Sequence, residues 1–348
     1  MDWIRGESLG CGSFSSVNLA IPRKNSAPLM AVKSCDLFDS VLLENEKEVL
    51  LHLGKCENVI QCLGSDQSVE NGEKFYNLLL EYASGGSLAK LVKNSGGCLP
   101  ESEIKRFTRS ILKGLRDIHA KGFVHCDIKL QNLLLFDNGE VKIADFGLAT
   151  KTGEKSGRME IRGTPLYMSP ESVNENEYNS PCDIWALGCA LVEMATGKPA
   201  WNCKKETNVA ALLIRIGLGD ELPEIPQELS KEGKDFLSKC FIRDPKSRWT
   251  AEMLLDHSFV ADDINNCTVT LKNREEEEES PRCPFEFPEW NSFPSSTPKS
   301  ELWSHGEAES RIDWSNLTCS SSLADRIRQL QSDQCCNWSF SESWVTVR

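Results

Sequence analysis

In the first third of the chain, apolar residues come in short runs broken by glycine and polar turns, which predicts strands at about residues 9–17, 29–33 and 77–82. Between the last two, residues 41–53 read as a helix: Leu42, Val49, Leu50 and Leu53 form its apolar stripe, and Glu44, Glu46 and Glu48 are its acidic positions. From residue 100 the period lengthens. Ile104, Phe107, Ile111, Leu115 and Ile118 recur three or four apart as far as Gly122, so residues 100–120 form a helix with one face committed to a core. A second apolar helix lies near residues 185–195, but Glu193 interrupts it, and no run approaches the roughly 18 to 20 apolar residues that span a bilayer. Strands first and long helices after them predict an α+β chain. A small β-rich lobe (about 3–80) connects through residues 81–86 to a larger helical lobe (about 87–260).

Beyond Asp263 the periodicity stops. Residues 275–279 are all glutamate, a Pro-, Ser- and Trp-rich stretch follows, and from Asp263 onward fifteen acidic against eight basic residues carry −7 of the net −13. Residues 264–348 are therefore expected to be a largely disordered, acidic, Ser/Pro/Trp-rich regulatory tail, unable to offset ordering entropy by burial. Five of the nine tryptophans lie there (Trp290, Trp303, Trp314, Trp338 and Trp344), which suits docking of tail-binding regulatory proteins as well as it suits inert apolar residues. Residues 323–331 read as a short amphipathic helix, and Ser280-Pro281 and Thr297-Pro298 as proline-directed phosphorylation sites or chance dipeptides.

The acidic balance argues against nucleic acid as a partner, since phosphate neutralisation needs a basic face. The N-terminus lacks the basic and apolar regions of a signal peptide, and neither end carries a lipidation motif. The expectation is a soluble protein without membrane insertion, cytoplasmic, with the nucleus a second location left open. The fifteen cysteines show no C-x-x-C pairing and are read as reduced thiols.

Four segments carry chemistry. Gly10-Cys11-Gly12-Ser13-Phe14-Ser15-Ser16-Val17 lies where one strand turns into the next; it is a phosphate-covering loop or only a tight turn. Met30-Ala31-Val32-Lys33 sets a lysine on a strand, where it reaches phosphates as a point charge. Such a lysine needs a carboxylate to hold it; Glu46 is preferred over Glu44 and Glu48 because Leu50 faces inward one turn later. His125-Cys126-Asp127-Ile128-Lys129-Leu130-Gln131-Asn132 precedes Val141-Lys142-Ile143-Ala144-Asp145-Phe146-Gly147. Two carboxylates and an amide in that order suit phosphoryl transfer: Asp127 accepts the hydroxyl proton, Lys129 neutralises charge, and Asn132 and Asp145 hold magnesium. The alternation of Val141 and Ile143 puts Asp145 at a strand end.

These segments, in this order and spacing, resemble the eukaryotic protein kinases. The resemblance covers about residues 3–260, since Ser169-Pro170-Glu171, the 183–188 helix and Arg248, expected to pair with Glu171, also match. It implies the bilobal kinase fold, ATP as phosphoryl donor, and Mg2+ with Mn2+ as a workable substitute. Lys129 and Gly163-Thr164-Pro165 resemble the serine/threonine branch, with the Thr164 hydroxyl bridging Asp127 and Lys129. By the same resemblance Leu80 is the gatekeeper, Glu81 and Ala83 bond adenine through their backbones, Val17, Ala31 and Leu134 sandwich it, and Ser87 also lines the nucleotide site. Cys62, Leu50, Phe146 and His125 match the stacked apolar spine of active kinases. The segments at 81–88 and 163–171, the His-Cys-Asp variant and the acidic, Trp-containing end are similar to plant MEKK-type MAP kinase kinase kinases of a compact subgroup. That implies MAP kinase kinases as substrates in a stress or hormone cascade.

Two departures stand out. Ser15 replaces the third loop glycine, which is expected to stiffen the loop. Cys126 replaces the arginine that pairs with a phosphorylated activation loop, so activity should depend less on phosphorylation of Thr150, Thr152, Ser156 or Thr164. A catalytically weak, pseudokinase-like scaffold and a kinase outside the MAP kinase cascade are the alternatives. The intact Lys33, Asp127, Asn132 and Asp145 weigh against the scaffold.

Overall fold

The computed structural model describes residues 2–12, 15–23, 27–154, 161–202 and 208–261. Ser13, Phe14, Ser156 and the tail expected at 264–348, with its tryptophans, helix and phosphorylation dipeptides, lie outside the described residues.

The N-terminal part is a five-stranded antiparallel sheet. Its strands are β1 (Trp3–Cys11), β2 (Ser16–Pro22), β3 (Met30–Asp36), β4 (Cys62–Glu70) and β5 (Glu73–Glu81), in the spatial order β1-β2-β3-β5-β4. The strand expected at 9–17 is in fact the end of β1, the glycine-rich turn and the start of β2. Sequence pattern alone also missed β4, all of whose positions are half-buried or exposed. The sheet's two faces separate by strand alternation. Val32 pairs with Leu79 and, with Ala20, Met30 and Trp3, fills the outer face. Ala31 pairs with Leu80 and Lys33 with Leu78, and these face the main core and the cleft.

Helix α1 (Val41–Leu53) lies where the sequence predicts it, burying Leu43, Glu46, Val49, Leu50 and Leu53 along one stripe. Leu43 rather than Leu42 is the buried leucine of its first turn. The helix ends at Gly54, whose φ of 58° needs a residue without Cβ.

The larger part is helical: α2 (Leu88–Asn94), α3 (Glu101–Ala120), α4 (Pro170–Asn174), α5 (Ser180–Thr196), α6 (Val209–Leu218), α7 (Lys231–Cys240) and α8 (Ala251–Leu255). The five predicted residues of α3 are all essentially inaccessible. Helix α5 is buried continuously from Cys182 to Met194. A Cβ on Gly188 would meet Phe241 Cε1 at 2.8 Å and Cys240 Cβ at 2.9 Å, so glycine is what lets this helix pack there. No helix among the described residues is long and apolar enough to cross a membrane.

Two small ribbons join these parts at the cleft. β6 (Phe123–Val124) pairs with β9 (Thr150–Lys151), and β7 (Leu133–Leu135) with β8 (Val141–Ile143). The loop between β6 and β7 carries residues 125–132, and the segment after β8 carries Asp145. Both chemical motifs are thus mounted on short paired strands over the α3 core.

Candidate active site

Strand β3 carries Lys33 into the cleft, where its ammonium lies 2.6 Å from Glu46 Oε2 and 2.8 Å from Asp145 Oδ1. Glu46 is fully buried and accepts the Phe146 N–H at 3.2 Å, so α1, β3 and the segment after β8 meet on one carboxylate. Glu44 bonds Ser40 instead and Glu48 is exposed, which singles out Glu46. Burial disfavours the Lys33 ammonium, but Asp145 and Glu46 outweigh it and hold the group above the ordinary lysine range. For Asp145 burial is likewise overcome by Lys33, and its carboxyl stays well below the usual carboxylate range. Glu46 moves upward, because complete desolvation exceeds its share of a cation already divided between two anions.

The second cluster comes from the β6–β7 loop. Asp127 Oδ1 accepts the Thr164 hydroxyl at 2.7 Å, Lys129 Nζ donates to that hydroxyl at 3.0 Å, and Lys129 Nζ lies 2.8 Å from Asp127 Oδ2. The bridging expected of Thr164 is therefore present. Asn132 Nδ2 donates to the Asp127 carbonyl at 2.8 Å and to its carboxylate at 3.2 Å. Asp127, Lys129, Asn132 and Thr164 are all buried, so these distances are set by packing.

Behind the site, His125 Nδ1 accepts the Asp127 N–H at 3.2 Å, which leaves Nε2 protonated to donate to the Ala144 carbonyl at 3.0 Å. The His125 ring packs edge-on against Phe146, with centroids 4.8 Å apart. Leu50 and Phe146 share the main core, with Cys62 packed against it. Asp183 anchors the loop from below, accepting the His125 and Cys126 N–H groups and facing His119 Nε2, each at 2.9 Å. Despite burial, His119 and these bonds hold the Asp183 carboxyl below its ordinary range. Arg248 makes a bidentate pair with Glu171 at 2.6 and 3.0 Å, as the sequence predicted.

On the nucleotide side, Ala31 pairs with Leu80 across β3 and β5, and Val17 and Leu134 pack against the same extended core. The Glu81 N–H donates to the Gln61 carbonyl, and the Ala83 carbonyl accepts from Gly86. The Ser87 hydroxyl caps α2 by accepting the Lys90 N–H at 3.3 Å, a structural task that the sequence reading did not assign it. Gly10 pairs with Val17 and Cys11 with Ser16 across the hairpin, while Gly12 N–H donates to the Ser15 carbonyl at 2.8 Å. Ser15 is absent from the residues with positive φ, so serine occupies this position without backbone strain.

Cys11, Gly12, Ser15, Lys33, Asp127, Lys129, Asn132 and Asp145 all line one cleft of about 870 Å³. The amide nitrogen of Asn132 is tied to Asp127, which turns its oxygen outward, and the Asp145 side chain keeps 44% of its surface exposed. Among the described residues no group of three or more His, Cys, Asp or Glu could hold a metal by itself. Two hard oxygen ligands and no cage fit Mg2+, which binds through few protein ligands together with phosphate oxygens.

The family model described as protein kinase domain matches residues 3–260. The chain is 52% identical to mitogen-activated protein kinase kinase kinase 20 of Arabidopsis thaliana over 361 aligned residues, 100% of both chains.

The chain belongs to the protein kinase family.

It groups there with plant MEKK-like serine/threonine kinases. It is 41% identical to mitogen-activated protein kinase kinase kinase 17 of the same plant over 75% of this chain and 70% of that one. The value is also 41% for kinase kinase kinase 18, over 75% and 78%. ATP binding and a divalent metal, generally Mg2+, follow from the family.

Two polar residues of the kinase escaped the sequence reading. Asn45 Nδ2, on α1, donates to the carbonyls of Gly147 and Ala149 at 3.0 Å and thereby ties the helix to the segment after Asp145. Tyr167 donates to the buried Glu193, the residue that interrupts the apolar pattern of α5. Glu193 was legible as an anomaly in an apolar helix, whereas nothing in the local pattern marks Asn45.

Proposed function

We propose that this kinase transfers the γ-phosphoryl group of ATP to serine or threonine of MAP kinase kinases, in a stress or hormone signalling cascade. The carrying observation is the closed set of contacts Lys33–Glu46–Asp145 and Asp127–Lys129–Thr164, with no member missing. Such an arrangement supplies positioning and charge stabilisation, which is what phosphoryl transfer asks of a protein. A scaffold would need neither.

In this reading Asp127 accepts the proton of the substrate hydroxyl, and Thr164 fixes the carboxylate that receives it. Lys129 stabilises charge on the transferring group, and Lys33, held by Glu46, orients the α- and β-phosphates. Asn132 and Asp145 hold the metal, Mg2+ with Mn2+ as a substitute, which when bound neutralises phosphate charge. The Glu81 carbonyl and the Ala83 N–H take adenine between Val17, Ala31 and Leu134, behind Leu80. Gly10, Cys11, Gly12 and Ser15 cover the phosphates. The tryptophans beyond residue 263 are docking points for regulatory proteins, so deleting residues 264–348 should change partner binding or turnover while sparing basal activity.

The cascade position rests on full-length similarity to a protein named for it. The test incubates the purified chain, and a Lys33→Met control, with Mg-ATP and a panel of kinase-dead MAP kinase kinases, read by mass spectrometry. Activation-loop phosphorylation only by the intact chain supports the proposal. Phosphorylation of generic substrates alone removes the cascade assignment.

A further inference from the structure

Phosphoryl transfer leaves two thiols at the base of the catalytic loop without a task. Cys126 is half-buried directly before Asp127, and Cys182 is buried in the first turn of α5. The Cys126 thiol donates to the Val124 carbonyl at 3.6 Å, and Cys182 packs beside it. With Val124 and Tyr178 they form a small cluster apart from the main core, and both line a small cavity that Asp127 and Thr164 also line. One carboxylate fixes both: the Cys126 N–H donates to Asp183 Oδ1 at 2.9 Å, and Cys182 Sγ lies 4.0 Å from the same oxygen. Cys189 and Cys240, by contrast, are sealed within the core.

We propose that Cys126 and Cys182 form a dithiol oxidation site for hydroperoxides, and that its closure to a disulfide stops phosphoryl transfer. Cys126, the member with access to solvent, attacks the terminal oxygen of ROOH. The O–O bond breaks, ROH leaves with the thiol proton, and Cys126 becomes a sulfenic acid. The Cys182 sulfur then attacks the Cys126 sulfur: the S–S bond forms, the S–O bond breaks, and hydroxide leaves as water with the second thiol proton. Two thiols lose two electrons and one hydroperoxide gains them, giving one disulfide, ROH and water. The Cys126 contact and burial both push the Cys182 thiol upward, which suits the resolving role rather than the attacking one.

The expected effect on catalysis follows from lack of slack. A disulfide bond of about 2.05 Å is shorter than any contact between two thiols, so closure draws Cys126 toward α5. Cys126 already sits at φ 68°, and its carbonyl oxygen lies 2.5 Å from the position a Cβ on Gly163 would take. The displacement is therefore passed to Asp127 and its bonds to Thr164 and Lys129. Lys33, Glu46 and the residues assigned to adenine do not touch the pair, so ATP binding should persist.

The experiment treats the full chain with graded hydrogen peroxide, blocks free thiols, and measures phosphorylation of a generic protein substrate, ATP binding and non-reduced peptides by mass spectrometry. A peptide linking Cys126 to Cys182 should accumulate in proportion to lost activity, ATP binding should persist, and dithiothreitol should reverse both link and loss. Cys182→Ala should keep basal activity, form no link and retain more activity at the peroxide dose that half-inactivates the wild type. Loss of activity without the linked peptide, or with equal sensitivity in Cys182→Ala, overturns the proposal and assigns the effect to another thiol, such as exposed Cys11. A linked peptide with activity unchanged also overturns it. The peptide measurement on the wild type needs no variant to fold.

Discussion

Thr164→Val removes one hydroxyl from the active site and almost nothing else, since valine keeps the β-branched shape. In the wild type that hydroxyl donates to Asp127 Oδ1 at 2.7 Å and accepts from Lys129 at 3.0 Å, at a site only 3% exposed. A hydrogen bond to a charged group contributes about 1.5–3 kcal/mol. Both charges keep a partner after the substitution, because Lys129 and Asp127 also touch directly at 2.8 Å, so the loss should be that of one such bond rather than two. At 1.36 kcal/mol per decade, this corresponds to a fall of about 10- to 150-fold in kcat. KM for ATP should change little, because Lys33, Asn132 and Asp145 are untouched. Thr164→Ser, which restores the hydroxyl, should recover most of the rate. Steady-state kinetics on purified variants, with thermal unfolding to confirm an intact fold, is the assay. A Thr164→Val enzyme within about twofold of wild type, a difference near 0.4 kcal/mol, would refute the bridging role. So would a Thr164→Ser enzyme as slow as the valine variant.

Other outcomes can be checked alongside. Arg248→Ala strands the buried Glu171 carboxylate and should cost about 3–5 kcal/mol of stability, seen as an earlier chemical-denaturation midpoint; an unchanged midpoint would contradict it. Burial pushes Glu193 up against the opposing Tyr167 bond, so its folded pKa lies above the unfolded value of about 4.3. The fold thus favours the protonated acid: this contribution is full below the unfolded pKa and is lost as pH rises through the folded one. Glu193→Gln should accordingly gain stability relative to wild type between pH 4 and pH 7 in denaturant titrations, and a constant gap would count against the assignment. Cys126 packs against Val124, Tyr178 and Cys182 and offers no cation to a loop phosphate, so phosphatase treatment should leave most activity, whereas its abolition would restore a phosphorylation requirement.

Much of this was legible because it is local. The period of α3 and the α1 stripe appear in the residue order, as does Glu46, placed one turn before Leu50 on the face that packs inward. Asp127, Asn132 and Asp145 were legible because phosphoryl transfer fixes the residue types and the family fixes their order. Other features were hidden. β4 has no fully buried position, so its pattern is weak. The φ of Ser15 depends on the hairpin as built, and the cap that Ser87 gives α2 depends on where the helix begins.

The sequence by itself determined that strands come first and long helices after them, which side chains are the candidates for catalysis, and the acidic break near residue 263. Those follow from periodicity, chemistry and composition, which are carried in neighbouring residues. Only the tertiary structure decided which distant groups meet. Lys33 reaches Asp145 across 112 positions, and Arg248 reaches Glu171 across 77. Asp183 gathers the catalytic loop from 57 residues away, and the same fold packs Cys126 on the small cluster that holds Cys182. Such pairings depend on how the core closes, because burial fixes the backbone positions and polar groups removed from water must find partners wherever the packing has placed them.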